Sequence, residues 1–286
     1  MEIDAIVFET PSVRIGAFRC PVGHPSFRDS GPIRDHCFVF PRTPVVIQHS
    51  GSQPFAADPT LVALYNRGQE YWRLPVSPDG DRCDWYAVSD ALLRDALADY
   101  DAPASDDSRR PIRFAFARTE PATYLSQREL FSRVERDSAT DPLSVEETVL
   151  ELLDKVLAAA YSKRRPRGSA EAKPPAAESL AYDAATLLGR RFADALTLAD
   201  IAAALGTSPF HLCRSFKRAT GCTLHGYRNQ LRLRSALDQL EERDADLSQL
   251  ALAYSYSSHS HFTASFRRAF GVTPSVARAR LGSRKS

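Results

Sequence analysis

Two segments of the sequence place basic and hydrogen-bonding side chains in the same order. SPFHLCRSFKRATG runs from Ser208 to Gly221, and SHSHFTASFRRAFG runs from Ser258 to Gly271. Both contain histidine, serine and a pair of adjacent basic residues, interleaved with apolar residues at helical spacing. Side chains of these types donate hydrogen bonds to phosphate oxygens and to base edges. The chemistry that they suggest is recognition of a nucleic acid.

The two segments are copies of one predicted structural unit. Aligned on Phe216 and Phe266, they match at an offset of fifty residues. Just upstream, LADIAAALG and LSQLALAYS match at an offset of forty-nine, because the second turn is one residue longer. Each unit therefore predicts a short helix, a tight turn, a capping serine and a second helix, which is the helix-turn-helix plan.

One stripe of each second helix is apolar and is predicted to be buried. It contains Leu212, Phe216 and Ala219 in the first copy and Phe262, Phe266 and Ala269 in the second. The opposite face and the caps supply the candidate DNA-binding residues. These are Ser208, Phe210, His211, Cys213, Arg214, Lys217 and Arg218 in the first copy, and Ser258, His259, Ser260, His261, Thr263, Ala264, Arg267 and Arg268 in the second.

For a single helix, a basic face is more often only solvated surface. Two copies favour DNA, because recognition helices on one face of a duplex must lie about one helical turn, roughly 34 Å, apart. The segment between the copies, TLHGYRNQLRLRSALDQLEER, predicts a helix of about eighteen residues, which spans about 27 Å at 1.5 Å per residue. Its length suits a spacer between two recognition helices.

Residues 179–281 resemble the DNA-binding domain of AraC/XylS-type transcriptional regulators. LTLADIAAALGTSPFHLCRSFKRATGCTLHGYR is similar to the first motif of that domain, and YSYSSHSHFTASFRRAFGVTPSVAR to the second. The resemblance implies a monomeric domain with two motifs in adjacent major-groove segments of an operator, and it favours an activator that works with RNA polymerase. It also implies base-facing positions for Phe210, Cys213 and Arg214 in the first copy and for Ser260, His261 and Ala264 in the second.

The sequence departs from the family pattern in the second copy. Ser255-Tyr256 stands where Gly-Phe is usual, and Ala264 stands where a longer polar side chain is common. We therefore expect base readout to rest mainly on the first motif, with the second contributing phosphate contacts and DNA shape.

The N-terminal half predicts strands followed by helices. IDAIVF, VRIGAF, HCFVF, PVVIQH, TLVALYN, EYWRLPV and CDWYAVS are rich in β-branched and aromatic residues, whereas helical periodicity begins at Asp90. The order is similar to the cupin-type sensing domain common in these regulators. The expected fold class is therefore α+β, with an N-terminal cupin-like β-barrel and accessory helices, and a C-terminal all-α double helix-turn-helix domain.

Charge and composition divide the chain into three parts. The segment 162–178 is rich in Pro, Ala, Ser, Lys and Arg and predicts a flexible linker. Residues 1–161, the predicted sensing or dimerisation domain, carry a net charge of −8, and residues 179–286, the predicted DNA-binding domain, carry +7. This asymmetry predicts that only the C-terminal part meets a polyanion.

A small-molecule effector site is expected in the N-terminal domain. Aromatic and arginine side chains there could line an apolar cavity or hold an anion. The candidate ligand-binding residues are Arg14, Arg34, Tyr65, Tyr71, Trp72 and Trp85, with Tyr86, Arg19 and Arg42 as further members of the same set. The alternative for the aromatic residues is ordinary core, and for the arginines it is surface.

No catalytic residue, metal ion or cofactor is predicted, because no HxH motif followed by a carboxylate occurs in the N-terminal half. An alternative is that Cys20, His24, His36, Cys37 and Cys83 bind a soft metal or sense an oxidant. Two further alternatives are a thiol-based repair enzyme with Cys20 or Cys83 as nucleophile, and a regulator that needs no ligand.

The helices TYLSQRELFSRVER and VEETVLELLDKVLAAAY either cover one side of the barrel or form a homodimer interface. The sequence has no run of eighteen apolar residues, and its start, MEIDAIVFET, has acidic residues where a signal peptide needs basic ones. We therefore expect a cytoplasmic protein that does not interact with membranes.

Overall fold

The computed structural model describes residues 3–29, 31–137, 139–162, 176–241 and 246–282. The strands are β1 (Asp4–Glu9), β2 (Val13–Cys20), β3 (Cys37–Pro41), β4 (Val45–His49), β5 (Phe55–Ala57), β6 (Leu61–Tyr65), β7 (Tyr71–Pro75), β8 (Asp81–Val88) and β9 (Phe116–Arg118). The helices of the N-terminal half are α1 (Asp90–Ala98), α2 (Ala102–Ser105), α3 (Pro121–Arg136) and α4 (Pro142–Tyr161). The seven predicted strands are confirmed, and the short strands β5 and β9 are additional.

The strands form two antiparallel sheets and do not close into a barrel. The larger sheet has the order β1-β2-β8-β3-β6-β9, and the smaller has the order β5-β4-β7. No ladder joins the two sheets within the described residues. The predicted α+β class is confirmed, but the predicted closed barrel is wrong: the sheets face each other as two layers.

Two prolines mark the place where the chain leaves one sheet for the other. β3 ends at Pro41, and Pro44 precedes β4. Proline has no backbone N–H, so neither Pro41 nor Pro44 can donate to a ladder. Between the prolines, the amides of Arg42 and Thr43 both donate to the carbonyl of Arg82 in β8, at 2.7 and 3.2 Å. At this corner the chain passes from β3 of the large sheet to β4 of the small sheet.

Each face of the large sheet covers a separate apolar core. Between the sheets, Phe18, Val39, Ile47 and Tyr65 belong to one buried cluster. On the opposite face, α3 and α4 cover the large sheet, and their apolar residues share a second cluster with the residues of the other sheet face. The two long helices therefore pack within the chain, as the first of the two sequence alternatives expected.

The C-terminal half is entirely helical where it is described. Its helices are α5 (Ala176–Arg191), α6 (Leu198–Ala204), α7 (Pro209–Thr220), α8 (Leu224–Leu240), α9 (Leu247–Ala253), α10 (His259–Phe270) and α11 (Pro274–Leu281). The predicted helices are confirmed to within a few residues. Most of the predicted linker falls on residues 163–175, which lie outside the described residues, and its last residues, 176–178, are helical. The domain boundaries stay a prediction.

None of the helices in the described parts of the chain has both the length and the apolar character needed to cross a membrane.

Candidate nucleic-acid interface

The first helix-turn-helix, motif 1, consists of α6, its turn and α7. Thr197 and Asp200 form a reciprocal capping box at the start of α6. The hydroxyl of Ser208 accepts a hydrogen bond from the amide of His211 at 3.2 Å and caps α7. α7 ends at Gly221, whose φ of 78° is the left-handed conformation that glycine adopts without strain. The local sequence thus fixes both ends of the first recognition helix.

The second helix-turn-helix, motif 2, consists of α9, its turn and α10. Ser258 accepts a hydrogen bond from the amide of His261 at 3.1 Å, and Gly271 ends α10 with a φ of 77°. In the turn, Ser255 takes a left-handed φ of 56°, where motif 1 has Gly206 at 60°. The non-glycine residue that departs from the family pattern therefore adopts the same backbone as its glycine counterpart.

The predicted inward and outward faces of both recognition helices are confirmed. Leu212, Phe216, Phe262 and Phe266 are completely buried, and the two alanines of the predicted stripes are half-buried. The outward candidates are exposed except for Thr263, which is half-buried. The exposed ones are Ser208, Phe210, His211, Cys213, Arg214, Lys217 and Arg218 in motif 1, and Ser258, His259, Ser260, His261, Ala264, Arg267 and Arg268 in motif 2.

The two reading faces differ in shape. In motif 1, Phe210 is 75% exposed at the start of α7, so a large apolar side chain projects from the surface. In motif 2, an open groove of about 660 Å³ is lined by His259, Ser260, Thr263, Ala264, Arg267 and Arg268. The short side chains of Ser260 and Ala264 leave this groove hollow.

His261 is held by its neighbours. Its Nδ1 lies 3.0 Å from the hydroxyl of Ser257, and its ring packs against the ring of Tyr256 with centroids 5.4 Å apart. The hydroxyl of Tyr256 in turn donates to Asn229 on α8 at 2.7 Å. The turn residue that replaces the usual phenylalanine thus connects the second reading face to the spacer helix.

Comparison with known proteins agrees with this geometry. A family model described as a helix-turn-helix domain matches residues 201–280. The probable transcription factor PqrA of Proteus vulgaris is 42% identical over 69 residues, which is 24% of this chain and 57% of PqrA. The transcriptional activator RhaS of Pectobacterium carotovorum is 36% identical over 74 residues, 26% of each chain. Over these C-terminal residues the chain is similar to helix-turn-helix transcription regulators.

A solved structure of an AraC-type regulator from Chromobacterium violaceum is 31% identical, covers 36% of this chain and 93% of its own, and superposes with a TM-score of 0.35. The chain covers less than two thirds of the length of PqrA and of RhaS. The similarity to these proteins is therefore confined to the C-terminal helices.

The six predicted ligand-binding residues do not form one site. Tyr65 and Tyr71 are buried between the sheets, with ring centroids 5.2 Å apart. Trp85 is half-buried and its indole N–H donates to Asp4 at 2.7 Å. Trp72 alternates to the outer face of β7 and is 43% exposed, because neighbouring residues in a strand point to opposite sides. Tyr86 is buried on the other face of the large sheet.

The predicted arginines are mostly paired with acidic residues. Arg14 forms an ion pair with Asp35. Arg19 and Arg42 both bind the carboxylate of Asp84, each at 2.8 Å. Arg34, the remaining candidate, is exposed to solvent. Interpreting these side chains as an anion clamp was wrong for the paired members, since acidic partners that the sequence pattern did not reveal neutralise them.

The cysteines and histidines of the N-terminal half are not arranged as a metal site. Among the described residues, no three His, Cys, Asp or Glu side chains lie close enough to hold an ion. Burial raises the pKa of the Cys20, Cys37 and Cys83 thiols, which keeps them protonated. The imidazole of His36 accepts a hydrogen bond from the amide of Arg67, and that of His24 from the amide of Ser26.

Sequence reasoning missed a set of polar contacts along α8. Four of its side chains, spaced to lie on one face of the helix, bind the N-terminal half: Tyr227, Arg234, Asp238 and Glu241. Burial alone would raise the pKa of Asp238, but Arg128 and Arg42 outweigh it and hold that pKa at about 2. Tyr227, Arg234, Asp238 and Glu241 recur at helical spacing on one face, but α8 is rich in polar residues on its other faces too, so the sequence carries no distinct signal for this face.

Proposed function

We propose that the protein is a sequence-specific, DNA-binding transcriptional regulator whose two recognition helices enter adjacent major-groove segments of one operator. We further propose that it is an activator, and that a small molecule bound in the N-terminal half controls it. The observation that carries the proposal is the repeated unit: two capped helices, each with a buried apolar stripe and an exposed face rich in basic and polar side chains.

The exposed residues support a division of roles between bases and phosphates. We propose that Phe210 in the first turn of α7 and Arg214 in its second turn meet base edges, since recognition helices enter the groove with their N-terminal turns. Arginine binds guanine through two hydrogen bonds, and an apolar side chain contacts the methyl group of thymine. Lys217 and Arg218 lie in the last turn, where a cation binds backbone phosphate.

In motif 2, the exposed basic residues Arg267 and Arg268 also occupy the last turn. The groove lined by short side chains favours shape and water-mediated readout at this half of the operator. The second motif therefore contributes affinity for any duplex and less discrimination between bases.

One polar atom supports effector binding between the sheets. His49 is 2% exposed, and its Nε2 has no hydrogen-bond partner among the described residues. Burial lowers the pKa of this imidazole to about 4, so it is neutral at physiological pH. It contacts the rings of Phe55 and Tyr65. A neutral imidazole within aromatic surroundings favours an apolar ligand with one hydrogen-bonding group.

Partners follow from the same proposal. We propose a homodimer on the operator, contact with RNA polymerase, and action in the cytoplasm, where DNA is accessible to a bacterial-type regulator. The burial of α3 and α4 within the chain means that a dimer would use other surfaces, such as the outer face of β7 with Trp72 and Leu74. Light scattering with and without operator duplex would measure the oligomeric state.

The repair-enzyme alternative has no support from the buried cysteines, whose raised pKa values make them poor nucleophiles. The direct test of the proposed function is selection from a random duplex library by the full chain. We expect enrichment of a site with two conserved segments about one helical turn apart. Recovery of no common sequence over several rounds would refute sequence-specific binding.

A further inference from the structure

The apolar residues of the C-terminal half fall into two separate clusters. Leu212 and Phe216 of motif 1 share a cluster with α5, in which Ala184 and Leu188 are completely buried. Phe262 and Phe266 of motif 2 instead belong to the cluster that also fills the space under α3, α4 and the large sheet. The boundary between the two apolar clusters therefore does not coincide with the domain boundary predicted from the sequence. Motif 2 shares its apolar core with the N-terminal half.

The spacer helix α8 is divided between these clusters at its middle. Its first half, with Leu224, Tyr227 and Leu231, packs with motif 1. Its second half packs with motif 2 and the N-terminal half through Leu233, Ala236, Leu237 and Leu240. The boundary between the two clusters lies at Arg232, whose guanidinium donates to the carbonyls of Phe192 and Asp194. One continuous helix thus joins two packing units.

Polar contacts strengthen the attachment of motif 2 to the N-terminal half. Arg128 of α3 is completely buried and binds Asp238 at 2.6 Å as well as Glu241. The hydroxyl of Ser132, also on α3, donates to the carbonyl of Leu281 at the end of α11. Removing one partner of such a buried ion pair strongly destabilises a protein, because the other charge is left buried without a partner. The charged and polar contacts therefore attach α8 and α11, the helices on either side of motif 2, to α3, and α10 of motif 2 also packs on α3.

The helices that pack with motif 1, α5 and the first half of α8, meet the N-terminal half along a boundary that we call the seam. It includes the packing of α5 on β4 and β5, the contact of Gly189 with Pro44 and Val76, the guanidinium of Arg118 over the ring of Tyr227, and the hydrogen bond from Tyr227 to Asp58. A Cβ built on Gly189 would lie 3.1 Å from Cβ of Pro44 and 3.3 Å from Val76. The absence of a side chain there allows the helix to approach the sheet corner closely.

The segment between α5 and motif 1 touches motif 2 close to the middle of α8. The rings of Phe192 and Tyr254 stack with centroids 6.1 Å apart, and the hydroxyl of Ser255 donates to the carbonyl of Ala193. These contacts lie next to the division in α8 and connect the turn after α5 with the turn of motif 2. They are placed where a pivot between the two units would be.

We propose that motif 2 and the N-terminal half form one rigid unit, that motif 1 is a second unit, and that the seam presets the spacing between the two recognition helices. The proposal rests on the proposed function, because spacing matters only for a two-motif operator. Two linked binding units gain affinity when their separation already matches the two sites. A signal that opens the seam would weaken operator binding without covering either reading face.

Hydrogen exchange of the full chain tests the division into units. Gly189→Leu forces side-chain atoms into the seam, and Gly189→Ala is a milder variant if the larger one fails to fold. Gly226→Ala is the matched control: it also adds a methyl group to a helix, but its Cβ would meet only Thr223, the cap of the same helix. We expect exchange in α5–α7 to rise about tenfold in the Gly189 variants, while exchange in α3 and α9–α11 stays as in the control.

Exchange that rises together in α5–α7 and α9–α11 would overturn the proposal, because the C-terminal domain would then open as one unit. The reverse experiment locks the seam. Pro44→Cys combined with Gly189→Cys places two Cβ atoms near disulfide distance. Oxidation should slow exchange in α5–α7, and reduction should restore it; the single Pro44→Cys variant under the same oxidant is the control. Unchanged exchange in the oxidised double variant would contradict the seam.

DNA binding tests the role of the seam in spacing. The probe is the duplex selected by the wild-type chain, with a shuffled duplex of the same composition as the non-specific reference. Gly189→Leu should weaken binding of the selected duplex about tenfold and leave the shuffled duplex unaffected. Unchanged or tighter binding would overturn the preset spacing. If the wild-type chain selects no site, the proposed function fails, whereas the exchange result still decides the division into units.

Discussion

Motif 1 and motif 2 share their backbone plan but differ in their surroundings. Both begin the recognition helix with a capping serine and end it with a left-handed glycine, and both bury a phenylalanine completely at the same position. Motif 1 packs on α5 and has its own apolar cluster, whereas motif 2 packs on α3 and shares the core of the N-terminal half. Local sequence therefore determines the motif, and the residues outside it determine which core it packs on.

Motif 1 and motif 2 also differ in the side chains of their exposed faces. Motif 1 presents Phe210 and Arg214, long side chains that can reach base edges, and motif 2 presents the shallow groove around Ser260 and Ala264. Under the two proposals, the motif that packs in its own cluster is also the one expected to discriminate between bases. A change in the spacing of the two motifs would then alter recognition.

The largest effect is expected from truncating the buried phenylalanines. Phe216→Ala and Phe266→Ala should each cost about 3–5 kcal/mol locally. The two tryptophans of the chain, Trp72 and Trp85, both lie in the N-terminal half, so their fluorescence reports on that half alone. In urea unfolding, Phe266→Ala should shift both the fluorescence and the helical circular-dichroism transitions. Phe216→Ala should shift only the circular-dichroism transition. Equal shifts of the fluorescence midpoint in the two variants would contradict the difference in packing between the motifs.

Removing the charge that fixes motif 2 should have the next largest effect. Arg128→Met leaves Asp238 and Glu241 without their main partner in the interior, which should lower the free energy of unfolding by about 3 kcal/mol. The matched control is Arg280→Met, because Arg280 is half exposed and lies 3.5 Å from Glu129. That pair should contribute less than about 1 kcal/mol. If denaturant midpoints fall equally in both variants, Arg128 does not anchor motif 2 to α3.

A smaller effect is expected on the reading face of motif 1. Arg214→Ala should weaken binding of the selected duplex by about 1–3 kcal/mol and relax the preference at one base position. Lys217→Ala should weaken all duplexes similarly and reduce the salt dependence of binding. Titrations of selected and shuffled duplexes at several salt concentrations measure both quantities. Identical behaviour of the two variants would remove the distinction between base and phosphate contacts.

The smallest effect concerns the two turns. Gly206→Ser introduces a side chain at a left-handed position and should cost about 1 kcal/mol. Ser255→Gly relieves the corresponding strain but loses the hydrogen bond from the Ser255 hydroxyl to Ala193, so its net effect should lie within about 0.5 kcal/mol. Thermal unfolding of both variants tests this asymmetry. A large loss in Ser255→Gly would mean that the hydroxyl contact outweighs the backbone.

The elements were predictable from sequence where their signals are local. Helix caps at Ser208 and Ser258, the glycine ends, and the β-branched and aromatic content of β2 and β8 each depend on a few neighbouring residues. The inward and outward faces of α7 and α10 followed from helical periodicity alone. The two short strands β5 and β9 were not predicted, because three residues such as Phe55–Ala57 carry too little pattern to distinguish a strand from a loop.

Features that depend on distant contacts were not predictable. Arg42 was a candidate anion ligand because nothing local shows that Asp84 and Asp238 neutralise it from other elements. Trp72 and Tyr71 are adjacent in sequence, but only the sheet arrangement decides which one faces the interior. The helix α3 has an apolar face that suits a second chain as well as its own C-terminal domain, and the sequence alone does not distinguish these partners.

The proposed function requires the two motifs to occupy neighbouring turns of one duplex. Hydroxyl-radical footprinting of the full chain on its selected duplex tests this requirement, with Arg214→Ala and Arg267→Ala as motif-specific variants. We predict two protected segments about one helical turn apart, with Arg214→Ala weakening protection of one and Arg267→Ala weakening the other. A single protected segment, or loss of the same segment in both variants, would contradict the two-motif operator.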